Sequence, residues 1–181
     1  MSYRHDLWEI AAERHGIVTV VEAEAEDAGV PAVEVRKLAH RGALRPYGKG
    51  VYAHRDIPIT VFTEPAAAVA LAGRGAFLHR EAVLDLVGLG HFNPRRIRVG
   101  TRRRVRRSLP DWMELEARTE IPDDDLTEHE GIPGTTVRRA LEDMRYRMPP
   151  DRWTALVAEA RRRELIAERD FTDPSSRSVG A

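Results

Sequence analysis

The chain has 181 residues, 42% of them hydrophobic and 32% charged, with 29 basic residues balanced by 29 acidic ones and no cysteine. This composition excludes wholesale disorder, and the lack of cysteine removes disulfides, zinc–thiolate sites and thiol catalysis. No apolar run approaches the ~18 residues of a membrane span, and no basic flank leads into an apolar run at the N-terminus, so a cytoplasmic protein is expected.

Residues 7–15 follow a helical period through Leu7, Ile10, Ala11 and Arg14, with Asp6 as N-cap and Gly16 as a left-handed end. Thr19 with Glu22 three residues later has the spacing of a capping box. It opens a second helix that is expected to run through Asp27. Pro31 starts a third helix, where its missing N–H is no loss. Val35, Leu38 and Ala39 share one face of it by three- and four-residue spacing, while Ala32, Val33, Arg36, Lys37 and His40 share the other. Gly42 stops this helix. Leu44-Arg45-Pro46 and Val51-Tyr52-Ala53 then read as two short strands joined by Tyr47-Gly48-Lys49-Gly50.

The pattern changes at Asp56. Thr63 caps a helix that is almost all alanine, valine and leucine up to Gly73, a composition that suits burial on most sides. Residues 78–86 read as a helix and residues 96–101 as a strand (Ile97 and Val99 alternate with polar neighbours), with residues 115–119 as its partner. Pro122 with Asp123, Asp124 and Asp125 reads as a solvated loop, residues 127–130 as a strand, and Gly131-Ile132-Pro133-Gly134 as a turn. Thr135 or Thr136 caps a helix through Met144. A last helix is expected from about Asp151 to Arg169, with Trp153, Leu156, Val157, Ala160 and Leu165 as its apolar stripe. The fold class expected is α+β: a winged helix-turn-helix over residues 1–56, a larger mixed α+β domain over residues 57–169, and a flexible tail over residues 170–181.

The zero net charge hides a segregation. Between Gly29 and Arg55 the only acid is Glu34, whereas Arg36, Lys37, Arg41, Arg45, Lys49 and Arg55 are basic. The segment before it is the reverse, with Glu9, Glu13, Glu22 and Glu24 among its acids. A helix that enters the major groove and cations that hold phosphates are what DNA binding by this architecture requires. Arg36, Lys37, His40 and Arg41 on the third helix, and Arg45, Lys49 and Arg55 on or beside the wing, are therefore the expected contacts to double-stranded DNA. The alternative is a small helical domain with a solvated charged face. A second basic surface is expected from Arg95, Arg96, Arg98, Arg102, Arg103 and Arg104. It reads as an added phosphate-binding surface, as a face for an acidic protein, or as a strand edge whose arginines prevent pairing.

Catalysis is not expected. Asp111, Glu116 and Arg118 resemble the acidic pair and cation of metal-dependent nucleases, but the two carboxylates are too close in sequence for the usual strand-to-strand placement. The seven histidines lack metal-ligand spacing, and neither a P-loop nor a dinucleotide fingerprint is present. No metal and no cofactor are expected.

The chain also resembles a known family, the AbiEi-type antitoxins of type IV toxin–antitoxin systems, from about Leu7 to Arg169. The resemblance rests on Gly16-Ile17-Val18-Thr19, on Val35-Arg36-Lys37-Leu38, and on Arg41-Gly42-Ala43-Leu44 running into Gly50-Val51-Tyr52-Ala53. Further along it rests on residues 78–84 with Leu86 and on residues 132–143. It implies a transcriptional autorepressor that binds inverted repeats in its own promoter; a monomer or a weak dimer pairing on DNA is expected, since two copies on an inverted repeat gain from proximity. It also implies a nucleotidyltransferase-class toxin as partner. Carried over residue by residue, the DNA contacts are Arg36, Lys37, His40, Arg41, Arg45 and Lys49. Pro31, Ala32 and Val33 depart from the more basic start of this helix in many relatives.

Overall fold

A computed structural model describes residues 2–25 and 27–171. The segment read as a flexible tail lies outside the described residues from position 172 onward. The fold is mixed α+β, with two sheets.

Helix α1 (Tyr3–Ala12) begins earlier than its cap signal suggested. Asp6 therefore sits in its first turn and not at the cap. Gly16 takes φ 85 as expected, but His15 before it is also left-handed, with φ 54. Strand β1 (Ile17–Thr19) follows, and the Thr19–Glu22 capping box is present in full at the start of α2 (Val20–Ala23). This helix stops four residues short of the expected end. The chain turns back so that Val30 N–H donates to Ala23 O, burying Val30 completely. The carboxylate of Glu24 then accepts from Ala32 N–H, supplying the cap that Pro31 cannot give to α3 (Ala32–His40). The hairpin of β2 (Leu44–Gly48) and β3 (Val51–His54) completes a three-stranded sheet of order β1-β3-β2.

Helix α4 (Thr63–Ala72) crosses the back of this small sheet. The alternation of strand residues divides the sheet between two cores. Val18 and Leu44 join Leu7, Ala11, Val30 and Val35 of the three-helix side, whereas Ile17, Val51 and Ala53 join Ala67, Ala68 and Leu71 of α4. At Gly48 the approach is tight: a Cβ there would fall 2.4 Å from Leu71 Cδ2, so the leucine side chain would have to shift to admit any other residue.

The remaining chain builds a five-stranded mixed sheet of order β6-β5-β4-β8-β7. Its elements are β4 (Phe77–Leu78), α5 (Glu81–Leu86), β5 (Ile97–Thr101), β6 (Met113–Ala117), β7 (Leu126–His129), β8 (Ile132–Thr135), α6 (Val137–Met144) and α7 (Pro150–Arg162). Two expectations are corrected here. Leu78 lies on a strand, because it pairs in parallel with Gly134 of β8 and antiparallel with Val99 of β5. Residues 132–134 are strand and not turn: the turn is Glu130-Gly131, with φ 51 and 75, and β8 is a central strand of the sheet. The last helix is also shorter than expected, ending at Arg162, with Glu164 left-handed just beyond it. Strands β5 and β6 run parallel in direct register from Ile97↔Met113 to Thr101↔Ala117. The connection over residues 102–112 must therefore travel back along the whole strand length.

Candidate nucleic-acid interface

Helix α3 is anchored by Val35, which is fully buried, with Leu38 and Ala39 half-buried beside it. That leaves Val33, Arg36, Lys37 and His40, spaced three and four residues apart, exposed together on the outer face. Arg41 occupies the C-cap position, Lys49 the hairpin turn, and Arg55 the residue after β3; all three are exposed. Gly50, at φ 74, makes the turn at Lys49 possible. Among the described residues, the side chains of Arg36, His40, Arg41, Arg45, Lys49 and Arg55 have neither a hydrogen bond nor an ion pair. Lys37 is the exception, 2.7 Å from Glu34 one turn earlier. The α3 face thus carries Arg36 and His40 without a side-chain partner among the described residues, Lys37 paired within the helix, and an exposed apolar side chain.

Arg45 stands apart from the rest. It pairs with Ala53, so its side chain leaves β2 on the face that also carries Ile17 and Ala53, the face covered by α4. Its charge is felt by the neighbouring Tyr47, whose hydroxyl is raised above its ordinary range by burial and by Glu64 of α4, with Arg45 acting in opposition. Arg45 is exposed, but on the side of the small sheet away from Val18 and Leu44.

The single second basic surface expected from residues 95–104 does not exist as one patch. Strand β5 separates Arg95 and Arg96 from Arg102, Arg103 and Arg104 by roughly 20 Å at ~3.3 Å per residue. Arg98 between them is neutralised: it is paired with Glu81 of α5 and, at 2.9 Å, with Glu114 of β6, and these partners raise its affinity for its proton against the opposing effect of burial. Arg102 is tied to Asp123 and donates to Ile121 O at 3.0 Å. Arg103 and Arg104 are exposed, and among the described residues their side chains have no partner.

Of the residues that resembled a nuclease site, Glu116 and Arg118 are committed to other partners. Asp111 is exposed in the turn ahead of β6. Glu116 is bound by Arg80 at 2.8 Å, and Arg118 is buried against Asp143 at 3.0 Å and paired with Glu120. Glu116 thus faces a guanidinium instead of an open metal position, whereas Asp111 has no side-chain partner among the described residues. The acidic turn is corrected in the same way: Asp125 is buried and accepts from Arg138 at 2.6 Å and Arg139 at 3.1 Å. Among the described residues no three acidic or imidazole groups converge as metal ligands, and no helix is long and apolar enough to cross a membrane.

The sequence did not reveal that His79, at the end of β4, belongs to this network. Its Nδ1 accepts from Arg118 Nη1 at 3.0 Å, which leaves Nε2 carrying the proton 4.0 Å from Glu116 Oε2. Burial first, and then the charges of Arg80, Arg118, Arg98 and Arg147, lower its pKa from 6.5 to about 3. Its role is that of a neutral acceptor in a structural network of arginines and carboxylates. Only the run Leu78-His79-Arg80 in the sequence hinted at it.

Comparison with known proteins gives one family. Residues 6–53 match the family described as a transcriptional regulator, AbiEi antitoxin. That span holds most of α1, all of α2 and α3, and most of the wing. No curated protein matches the chain. Among solved structures, the crystal structure of the RV2827C protein from Mycobacterium tuberculosis is similar, with a TM-score of 0.44 and 16% sequence identity over 86% of this chain and 71% of that one.

Proposed function

We propose that this chain is a DNA-binding transcriptional autorepressor and antitoxin of the AbiEi type, which reads inverted repeats in its own promoter and counteracts a nucleotidyltransferase-class toxin. Residues 1–56 are taken as the reading unit and residues 57–169 as the antitoxin part. The observation that carries the proposal is the outer face of α3. Four residues at helical spacing, three of them basic or imidazole, stand exposed beside a glycine-turned hairpin within the segment that matches the regulator family.

In this reading α3 enters the major groove. Arg36 and Lys37 reach guanine edges, while Arg41, Lys49 and Arg55 hold phosphates on either side. The net charge of zero does not oppose this, because the Coulomb attraction is local over a screening length of ~8–10 Å. Two copies on an inverted repeat gain from proximity even if neither holds DNA strongly alone. The measurement is fluorescence anisotropy of the full chain on a duplex from its own upstream region, across a salt series. Binding that weakens steeply with salt is expected, since each phosphate contact releases counterions. No binding even at low salt would refute the reading.

One observation favours a narrower second reading, a winged-helix regulator without a toxin partner: the family match ends at residue 53, ahead of the antitoxin part. Growth rescue on co-expression with a neighbouring nucleotidyltransferase-like gene separates the two.

A further inference from the structure

We propose that the recess between the end of α1, helix α4 and the β7–β8 turn is a binding site for a compact apolar amine, of the size of one aromatic ring. Among the described residues, none from α3 or the wing tip lines this recess, so the site stands independently of the DNA-binding reading above.

Segments far apart in sequence close on one another there. Ile17, Ala66, Val69, Ile132 and Pro133, from β1, α4 and β8, give the recess an apolar floor, and Glu13, Arg14, His15 and Glu22 give it a polar rim. His15 ties the sides together. Its Nε2 donates to Glu130 O at 2.6 Å, its ring lies against Phe62 with centroids 5.1 Å apart, and its carbonyl accepts from Thr63 Oγ1 at 3.1 Å. Both His15 and Glu130 are left-handed, at φ 54 and 51. Residues other than glycine hold that conformation only where their surroundings impose it, and such positions gather at ligand clamps and switches.

The floor sets the body of the ligand. Ala66 and Val69 are half-buried, while Ala67, Ala68 and Leu71 of the same helix are in the core. This strip of α4 is therefore only partly covered by the fold, and an apolar group that displaces water from it gains free energy. The volume of the recess is about 160 Å³. A cavity of ~150 Å³ with aliphatic walls holds one benzene molecule, so the recess admits one ring and little more.

The rim sets the head group. Glu22 is spent within the fold: one oxygen pairs with Arg14, and the other accepts from Thr19 N–H at 3.0 Å. Glu13 is left over. Among the described residues its carboxylate has neither a hydrogen bond nor an ion pair. It also stands at the C-cap of α1, the negative end of the helix dipole, and the last turn of that helix holds no cation. With His15 neutral, two carboxylates and one guanidinium leave the rim with one net negative charge. That charge repels a carboxylate or a phosphate and attracts an ammonium.

The test titrates the full chain, without DNA, with benzylamine, benzyl alcohol and benzoate at neutral pH and constant ionic strength, followed in two-dimensional amide NMR spectra. With benzylamine, saturable shifts are expected around the recess, at His15, Ile17, Val69 and Ile132 among others. Benzylamine should bind about 1.5- to 5-fold more tightly than benzyl alcohol, the range of an exposed ion pair, and benzoate should bind most weakly. Glu13 is exposed, so Glu13→Gln should fold as the wild type does, bind benzyl alcohol equally well and lose the preference for the amine. Ala66→Leu fills the recess and should abolish binding of all three. No saturable shift up to the solubility limit of benzylamine, or shifts that map to another face, would overturn the site. Benzoate binding as tightly as benzylamine, or a preference for the amine that survives Glu13→Gln, would overturn the amine as its ligand. Should Ala66→Leu not fold, the mapped shifts and the Glu13 variant still decide. With no DNA present, failure here leaves the DNA-binding reading intact.

Discussion

Arg36 and Arg118 carry the same guanidinium and serve opposite ends. Arg36 stands exposed on α3 with no counter-charge among the described residues, beside a Lys37 that is paired with Glu34. Arg118 is 6% exposed at its side chain and is enclosed by Asp143, Glu120 and His79. The first belongs to a region that the fold leaves electrostatically unfinished, the second to a region that the fold completes by itself. Counting arginines does not separate them. What separates them is whether the tertiary structure has already supplied the anion. A surface that waits for a ligand leaves most of its charges apart from carboxylates, whereas a network that specifies packing brings them together, here with His79 Nε2 and Arg80 Nε left without a hydrogen-bond partner.

The comparison breaks most clearly on stability. Arg118→Ala leaves Asp143 and the neutral His79 without their shared donor in a buried setting, and removing one partner of such a pair is costly. The expected loss is about 3 kcal/mol, the lower end for a buried pair, because Arg139 still meets Asp143. Urea unfolding followed by circular dichroism measures it. A loss under about 1 kcal/mol, the scale of an exposed ion pair, would place Arg118 with Arg36.

The same network imposes a pH dependence. A histidine in the unfolded chain titrates near 6.5, whereas folded His79 holds out to about 3. Between these values the unfolded chain binds a proton that the folded chain refuses, so the contribution of His79 is complete above about 6.5 and is lost as the pH falls. The slope for this one site is about 1.4 kcal/mol per pH unit, or roughly 2 kcal/mol between pH 6.5 and 5. His54 acts with the same sign, since burial lowers its pKa while its Nε2 meets Arg4 O. Urea midpoints taken across this window should fall for the wild type and fall less for His79→Gln. Equal slopes would mean that His79 does not carry the effect.

The two regions should exchange behaviour on DNA. Arg36→Ala is expected to cost about 1–3 kcal/mol of binding free energy if it is bidentate to a guanine, with stability altered by no more than ~0.5 kcal/mol. Arg98→Gln is the converse. Its guanidinium is held by Glu81 and Glu114, so stability should fall by about 1 kcal/mol while DNA affinity stays within ~0.5 kcal/mol of wild type. Paired anisotropy and urea measurements on the two variants check both halves. An Arg98 variant that weakens DNA binding as much as Arg36→Ala would erase the distinction.

Local signals read true where a local interaction determines the outcome. The Thr19–Glu22 capping box, the outward face of α3 and the Thr136 cap of α6 all follow from residues within four positions of one another. Legibility fails where distant pairing overrides the local preference. Ile132-Pro133-Gly134 has turn composition, yet it forms a strand because β7 and β4 pair with it on both sides. Leu78 follows a helical period with its successors, yet the sheet takes it. In the candidate interface, the shared exposure of Arg36, Lys37 and His40 follows from local helical spacing, whereas Arg45 falls on the other face of the small sheet. The division of residues 95–104 by β5 and the pairing of Arg98 were not legible, because each depends on strand direction and register.

The finest form of the comparison concerns a residue without charge. Val33 is 51% exposed and aligns with Arg36, Lys37 and His40 on α3, so the helix presents an apolar group among its polar ones. An exposed valine gains little from water, and the apolar partner that a major groove offers is the C5 methyl of thymine. Burying one such methyl is worth about 0.8 kcal/mol, roughly fourfold in affinity. Replacing thymine by deoxyuridine, one position at a time in a selected duplex, should reveal a single position where the wild-type chain loses that factor and Val33→Ala loses nothing further. If both chains respond alike at every position, Val33 contributes no sequence reading, and the specificity of α3 rests on Arg36 and Lys37 alone.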